Sequence, residues 1–256
     1  MKTVIFSFDD GRLDTYEYAY KAMKKYDIPG CVFIASGFVL DNSICKDLDI
    51  KCEYSLTPDK IIELYNHGWE IGCHGRYHSN RLQDLADNIK DLEELGVETK
   101  NIGFASPFSE ITFDNNPFFK HIKKGTLLYV RSGIQTRREG ILYIAFSLFN
   151  SVFHLNKIYC KLNRKCIIHS PSDFYLSVGI SKNNTVHEII SLVNDEMQDG
   201  DTVILNFHSI LPKKHKEFGV DRWSFDLVKF EKLLAELKTD EDITFMTIKG
   251  YTIKGI

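Results

Sequence analysis

The chain has 256 residues, enough for one large domain or two small ones and for a sizeable buried core. Its 43% hydrophobic and 26% charged residues, with only 6 prolines and 16 glycines, exclude a disulfide-stapled miniprotein, a disordered chain and a collagen-like repeat. Because 32 Lys and Arg residues stand against 35 Asp and Glu residues, for a net charge of -3, the composition gives no basic excess for binding nucleic acid.

Strands and helices alternate along most of the chain. In chain order, the apolar spacing predicts strand Thr3–Phe8, helix Leu13–Tyr26, strand Cys31–Ala35, helix Asp59–Asn66, strand Trp69–Cys73, helix Leu82–Leu95, strand Asn101–Phe104, helix Pro117–Lys124, strand Thr126–Val130, strand Phe174–Val178, helix Thr185–Met197, strand Thr202–Phe207, helix Ser224–Leu237 and strand Ile243–Ile248. Helices between successive strands favour parallel crossovers. The sequence therefore predicts an α/β barrel or a doubly wound sheet.

One segment interrupts this alternation. Residues Ile141–Leu155 carry no charge and are flanked by basic residues, which are Arg137, Arg138, Lys157, Lys161, Arg164 and Lys165. The run is shorter than the roughly 18 apolar residues of a membrane span. A buried helix packed on the barrel is the first interpretation, and a helical insertion at the barrel's edge that contacts a membrane surface or another subunit is the second.

Two features bear on the cellular compartment. Only five residues with apolar character precede Asp9-Asp10, whereas a secretory signal needs about 7–15. The six cysteines show no C-x-x-C spacing, so they predict neither a zinc ribbon nor a thioredoxin motif, and we expect reduced thiols. The sequence predicts a cytoplasmic protein, with membrane association through residues 141–155 as an open alternative.

Two adjacent carboxylates, Asp9 and Asp10, come where the first predicted strand ends, and Gly11 follows them. This is the place where α/β folds put their ligands. Because neighbouring side chains diverge, one carboxylate could bind a metal while the other takes a proton. Taken alone, Asp-Asp-Gly is more often a simple turn than a catalytic site.

A pair of histidines, His74 and His78, follows another strand end. Imidazoles four residues apart can converge on one cation, which suits Zn²⁺. With Asp10 they would form a three-ligand site that leaves a coordination position open for water, as catalytic zinc sites do. His208 likewise follows an apolar strand, where a satisfied core histidine is the ordinary interpretation.

Four ordered motifs resemble the polysaccharide deacetylase family, which is also described as the NodB-homology domain or carbohydrate esterase family 4. They are Asp9-Asp10-Gly11, the pair His74 and His78, the turn Ser106-Pro107-Phe108, and Leu205-x-x-His208. The resemblance implies a distorted (β/α) barrel of about seven strands, formed by residues 1–256 as a single catalytic domain with an insertion at about 134–172.

The same resemblance implies roles for individual residues. Asp10, His74 and His78 resemble the metal ligands, Asp9 the general base, His208 the general acid, and the Phe108 backbone amide an oxyanion donor. Family members often carry an arginine where this chain has Ala105. Arg131, at the end of the next predicted strand, could supply the missing guanidinium to the base, or it could be an ordinary surface arginine.

Together with these residues, the resemblance implies a Zn²⁺-dependent hydrolase, with another divalent transition metal as an alternative, that removes the N-acetyl group from an N-acetylhexosamine-containing glycan or its activated or lipid-linked precursor. An activated water, a stabilised oxyanion and a proton for the departing amine are what amide hydrolysis needs. An O-acetyl sugar esterase with the same site and a metal-free carbohydrate-binding relic of the fold remain the alternatives.

Overall fold

The computed structural model describes residues 1–41, 54–134 and 140–255, and the side chains of 140–143 are not described. Within these residues, seven parallel strands close into a barrel, because the first strand pairs with both the second and the last of them. Their order around the barrel is β1 (Lys2–Phe8), β2 (Gly30–Ile34), β3 (Glu70–Cys73), β4 (Ile102–Ala105), β5 (Leu127–Gly133), β7 (Phe174–Gly179) and β8 (Thr202–Phe207). The barrel fold predicted from the family resemblance is confirmed.

Four shorter strands lie outside the closed barrel. β6 (Ile167–Ile168) pairs antiparallel with β8, and β11 (Ile243–Phe245) pairs parallel with the N-terminal half of β1. β9 (Ser209–Leu211) and β10 (Ser224–Asp226) form a separate two-stranded parallel sheet. The β9–β10 sheet directly follows His208 and was not predicted.

Helices cover the outside of the barrel. They are Thr15–Tyr20 (a π-helix) with Lys21–Lys24, Ser36–Leu40, Pro58–Asn66, Leu82–Glu94, Phe119–Lys123, Gly140–Phe153, Asn156–Asn163, Val186–Ser191 with the π-helical Leu192–Glu196, Leu227–Lys238 and Ile248–Lys254. Most predicted helices are present with bounds shifted by a few residues. The prediction was wrong at Ser224–Asp226, which is a strand, and at the C-terminus, where Ile248 begins a helix instead of ending a strand.

Alternation along each strand divides the buried residues between two cores. Even-numbered residues of β1, such as Phe6 and Phe8, join the large core between barrel and helices, whereas Ile5 belongs to a smaller core inside the barrel. Because side chains in a strand alternate between its two faces, Asp9 continues the inward-facing row of Ile5. The same rule places Arg131 on the inward row of Tyr129 in β5.

The uncharged run at Ile141–Leu155 is helical as far as Phe153, as both interpretations predicted, but the buried interpretation is wrong for the large apolar side chains that the structure describes. Seven large apolar side chains are between 43% and 69% exposed; these are Ile144, Phe146, Leu148, Phe149, Val152, Phe153 and Leu155. Among the described helices, none combines the length and apolar character needed to cross a membrane. Arg137 and Arg138 lie outside the described residues.

The cysteines in the described part of the chain are buried and free, as predicted; these are Cys31, Cys73, Cys160 and Cys166. Cys45 and Cys52 lie outside the described residues.

Candidate active site

The predicted site residues meet at the carboxyl ends of the barrel strands. Asp9 and Asp10 follow β1, His74 follows β3, and His208 follows β8. Because all seven strands run in parallel, these ends lie at one mouth of the barrel. The topology therefore brings together residues that are up to 199 positions apart in the sequence.

Asp10, His74 and His78 form a compact group of metal-ligating side chains. One ligand atom from each lies within 4.8 Å of the others. The Asp10 Oδ1 atom is 3.3 Å from His74 Nε2 and 3.5 Å from His78 Nε2. Asp10 and His78 adopt positive φ angles of 73° and 55°, a left-handed conformation that side chains rarely adopt and that is often found at functional sites.

The surroundings of His74 indicate which of its ring nitrogens is available to a cation. Nδ1 lies 2.9 Å from the carbonyl oxygen of Ala105, so this nitrogen carries the proton and donates it there. Nε2 is then the lone-pair atom; it is buried and makes no hydrogen bond among the described residues, and its close polar neighbour is Asp10 Oδ1 at 3.3 Å. An orphaned imidazole nitrogen facing a second imidazole and a carboxylate fits a divalent transition metal.

The two histidines differ in their affinity for a proton. Burial alone would lower the pKa of His74, but the carboxylates of Asp9 and Asp10 outweigh it and raise the pKa above its ordinary value. Burial, with repulsion from His74, lowers the pKa of His78 to about 4. His78 is thus already a neutral ligand at physiological pH, whereas His74 holds a proton more strongly than a free imidazole does, and a cation there competes with that proton.

The loop that carries the histidines is held by Asp84, which sequence reasoning did not single out. Its carboxylate accepts hydrogen bonds from the Tyr77 amide (2.9 Å) and from the amide and hydroxyl of Ser79 (3.1 and 2.8 Å). Gly75 has a φ of +74°, and a Cβ there would come within 2.5 Å of Asp84 Oδ2. The glycine is therefore needed for the close turn that directs both imidazoles toward Asp10.

Asp9 is buried and held by two side chains from other strands. Arg131 Nη2 donates to Asp9 Oδ1 in a buried ion pair, and Asn206 Nδ2 donates to Asp9 Oδ2 at 2.8 Å. Arg131 lies within β5, only 1% exposed, and packs over the ring of Phe33. The surface-arginine interpretation is therefore wrong, and the contact required by the alternative is present.

Strand register explains how the guanidinium reaches the carboxylate. Ala105 in β4 is the register partner of Arg131 in β5. The guanidinium near Asp9 therefore comes from β5, whereas the family resemblance would place an arginine on the neighbouring strand β4, at Ala105. Asn206 went unnoticed in the sequence, although it lies two residues before His208 and hence on the same face of the chain.

The ion pair controls the protonation of Asp9. Burial alone would raise the pKa of this carboxyl, but Arg131, with smaller contributions from His74 and His208, more than offsets it. The Asp9 pKa therefore lies below its usual range. A carboxylate that stays ionised and is fixed by two donors can accept a proton at neutral pH.

Replacing Arg131 should consequently move the pH dependence of the reaction. In Arg131→Met the burial of Asp9 is no longer offset by the guanidinium, so its pKa rises and the acidic limb of the kcat/KM profile shifts to higher pH. Ser177→Ala is the matched control, because it removes a neutral contact to Arg131 Nη1 (3.3 Å) and keeps the charge. An unchanged limb in Arg131→Met would contradict this role.

His208 lies on the other side of Asp9. Its Nε2 atom is 3.9 Å from Asp9 Oδ2. The imidazole stacks on Trp223, with ring centroids 5.5 Å apart and an interplanar angle of 23°. Trp223 comes from the segment before β10 and had no sequence signal, since neither its spacing nor its neighbours form a motif.

Phe108 marks the rim of the site. Its ring is exposed and contacts His78, with centroids 4.5 Å apart. The backbone is left-handed, with a φ of 56° at Phe108 and 53° at Ser109. This contact places the Ser106-Pro107-Phe108 turn beside the candidate metal site, and the role of the Phe108 amide as oxyanion donor stays a prediction.

The comparisons with known proteins concern the family and the fold of the chain. Residues 1–114 match the sequence model of the family described as polysaccharide deacetylase. This part of the chain is similar to the polysaccharide deacetylase family, and the match covers a little less than half of the 256 residues. The matched residues include Asp9, Asp10, both site histidines and the Phe108 turn, and they confirm the predicted family and its class of enzyme, a hydrolase of the deacetylase type. No curated protein matches the chain significantly in sequence.

Solved structures show the same fold. A peptidoglycan N-acetylglucosamine deacetylase, solved in complex with a substituted benzamide, is 14% identical over 97% of this chain and 87% of its own, with a TM-score of 0.51. A predicted polysaccharide deacetylase from Mycobacterium smegmatis is 12% identical over 99% of this chain and 90% of its own, with a TM-score of 0.57. These similarities extend the polysaccharide deacetylase fold beyond the residues that the family model covers.

Proposed function

We propose that this protein removes the N-acetyl group from an N-acetylhexosamine-containing glycan or from its activated or lipid-linked precursor. The observation that carries the proposal is the arrangement of Asp9. This buried carboxylate is paired with Arg131 and lies between a compact group of metal-ligating side chains and the imidazole of His208. A fixed base and a separate histidine beside a cation site are suited to splitting an amide.

Asp10, His74 and His78 would hold the metal, and the proposed ion is Zn²⁺. When bound, such a cation lowers the pKa of a water molecule and polarises a carbonyl oxygen. The donor set of two imidazole nitrogens and one carboxylate oxygen is typical of catalytic zinc sites. Other divalent transition metals accept the same donors, so metal analysis must decide among them.

The chain's own residues account for the proton movements. Asp9, kept ionised by Arg131, would accept the proton of the attacking water, and Asn206 would keep its second oxygen in place. His208 would donate a proton to the departing amine nitrogen. The amine anion is a poor leaving group, so a positioned acid is needed for an amide. Trp223 would limit rotation of the His208 ring through stacking.

The same groups could also hydrolyse an O-acetyl ester. The N-acetyl amidase, the O-acetyl esterase and the metal-free binding protein make different predictions. The main argument for a metal-free binding protein was that Ala105 stands where family members often carry an arginine. Arg131 pairs with Asp9 instead, so this argument no longer applies. An esterase and an amidase differ in their need for the acid. An alkoxide leaves more readily than an amine anion, so the ester reaction depends less on His208.

The deciding experiment measures acetate release from N-acetylglucosamine oligomers and from O-acetylated sugars. We expect the parent to release acetate from the N-acetyl substrate, and His208→Ala to lose on the order of 10²-fold in kcat there and less with the ester. The metal content of His208→Ala should equal that of the parent, because His208 is not among the proposed ligands. Release of acetate from the ester alone would replace the proposal by an esterase, and release from neither substrate would reject both.

A further inference from the structure

We propose that the helix Gly140–Phe153 docks on the surface of an anionic lipid bilayer. The helix emerges from the insertion after β5, and its polar and apolar faces are reversed relative to an ordinary surface helix. Asn150 is buried and donates from Nδ2 to Glu188 Oε1 at 2.6 Å. Ser147 and Ser151 are half-buried on the same side of the helix. The polar stripe therefore faces the protein.

The apolar side chains face outward over a wide arc. At 3.6 residues per turn, the positions from Ile144 through Phe153 that are exposed span about 200° of the helix circumference. A helix that packs on a protein core needs an apolar stripe of only about 100°. Acyl chains and lipid headgroups surround a half-immersed helix on all its outer sides, so a bilayer interface covers this arc better than one partner helix or sheet would.

The charge of the surrounding segment matches an anionic surface. No acidic residue occurs between Gly140 and Ser172, although the whole chain has a net charge of -3. The following helix carries Lys157 and Lys161, both exposed. Arg164 is paired with Glu196 at 2.7 Å, so these lysines carry the attraction. Lysines beside an exposed apolar helix are the pattern that binds anionic headgroups.

Docking of this helix would bring the barrel mouth close to lipid. The backbone amide of Gly133, at the carboxyl end of β5, donates to Ser109 Oγ at 3.1 Å, next to Phe108 at the rim of the site. The docking helix begins seven residues after Gly133. A lipid-linked acetylated sugar is then the substrate class that the site would meet; this consequence rests on the proposed function, whereas the docking itself does not.

The test uses the full chain and vesicles of phosphatidylcholine with about 30% phosphatidylglycerol, measured by flotation at low salt. We expect the parent to bind, with affinity falling at about 0.5 M salt and on vesicles of phosphatidylcholine alone. Phe146→Glu/Phe149→Glu should weaken binding by more than about tenfold. The matched control Val228→Glu/Ile253→Glu changes two exposed apolar residues on other helices by the same charge, and it should bind like the parent.

Three outcomes would overturn the docking proposal. One is a parent that does not bind these vesicles at low salt. Another is that Phe146→Glu/Phe149→Glu and the control weaken vesicle binding equally, because the change in net charge alone would then explain the weaker binding. The third is a parent protein that forms a dimer by light scattering and does not bind vesicles, when Phe146→Glu/Phe149→Glu dissociates that dimer. The apolar face would then be a contact between two copies of this chain. Because binding is read without substrate, an inactive enzyme would not affect the result.

Discussion

Asp9→Asn should reduce kcat for deacetylation by about 10²-fold or more while the bound metal stays in place. The amide of asparagine has nearly the shape of the carboxylate but cannot accept the water proton. Asp9 is not one of the three converging ligands, so the metal content should remain that of the parent. The measurements are kcat by acetate release and metal by elemental analysis. Turnover at the parent rate would contradict the assignment of Asp9 as base.

The stability of this variant needs its own control, because removing one partner of a buried ion pair typically costs about 3–5 kcal/mol. Asp59→Asn, at an exposed position, reports the effect of the same chemical change away from the site. A double-variant cycle adds a sharper readout. If Arg131 acts only through Asp9, Arg131→Met should cost little further activity in the Asp9→Asn background.

The parts of the site that local sequence determines could be predicted. Asp9-Asp10 and His74 lie at strand ends because short β-rich runs precede them, and parallel strands expose those ends at one mouth. The spacing of His74 and His78 was weak evidence alone, and it became specific through its position after a strand. Family resemblance, rather than spacing, supplied the expected role of His208.

The parts that depend on register could not be predicted. Arg131 faces Asp9 because it belongs to β5 and to the inward-facing row of that strand. The predicted strand ended at Val130, one residue before Arg131, so the direction of the Arg131 side chain could not be predicted. Asn206 reaches Asp9 only because β1 and β8 close the barrel, a contact across 197 positions. Trp223 depends on β10, a three-residue strand without a periodic signal.

Local composition misled the prediction in a different way at Ile141–Leu155. An uncharged run normally indicates burial, because apolar side chains avoid water. Here Asn150 gains a buried acceptor in Glu188, and the helix turns its small polar stripe inward. The order of polar and apolar residues around the helix was visible in the sequence, but the face that would contact the barrel was not.

Removal of a metal ligand should have the largest effect of all. We expect the parent to hold about one divalent ion per chain, with imidazole nitrogens about 2.0–2.1 Å from it if the ion is zinc. His74→Ala should lose the ion and with it nearly all activity, since Nε2 of His74 is the buried atom that lacks another partner among the described residues. His67→Ala, an exposed histidine at a helix end, is the matched control and should keep both.

The pH dependence of metal binding gives a second test of the same site. The carboxylates raise the pKa of His74, so a proton on this imidazole competes with the cation as the pH falls, and metal affinity should decrease toward acidic pH. The pKa of His78 is already lowered to about 4, so His78 adds little to this dependence above that pH. Calorimetric titration with Zn²⁺ in buffers of different ionisation enthalpy would measure the proton released. Full metal retention in His74→Ala, or binding that releases no proton as the pH falls below the His74 pKa, would contradict this ligand assignment.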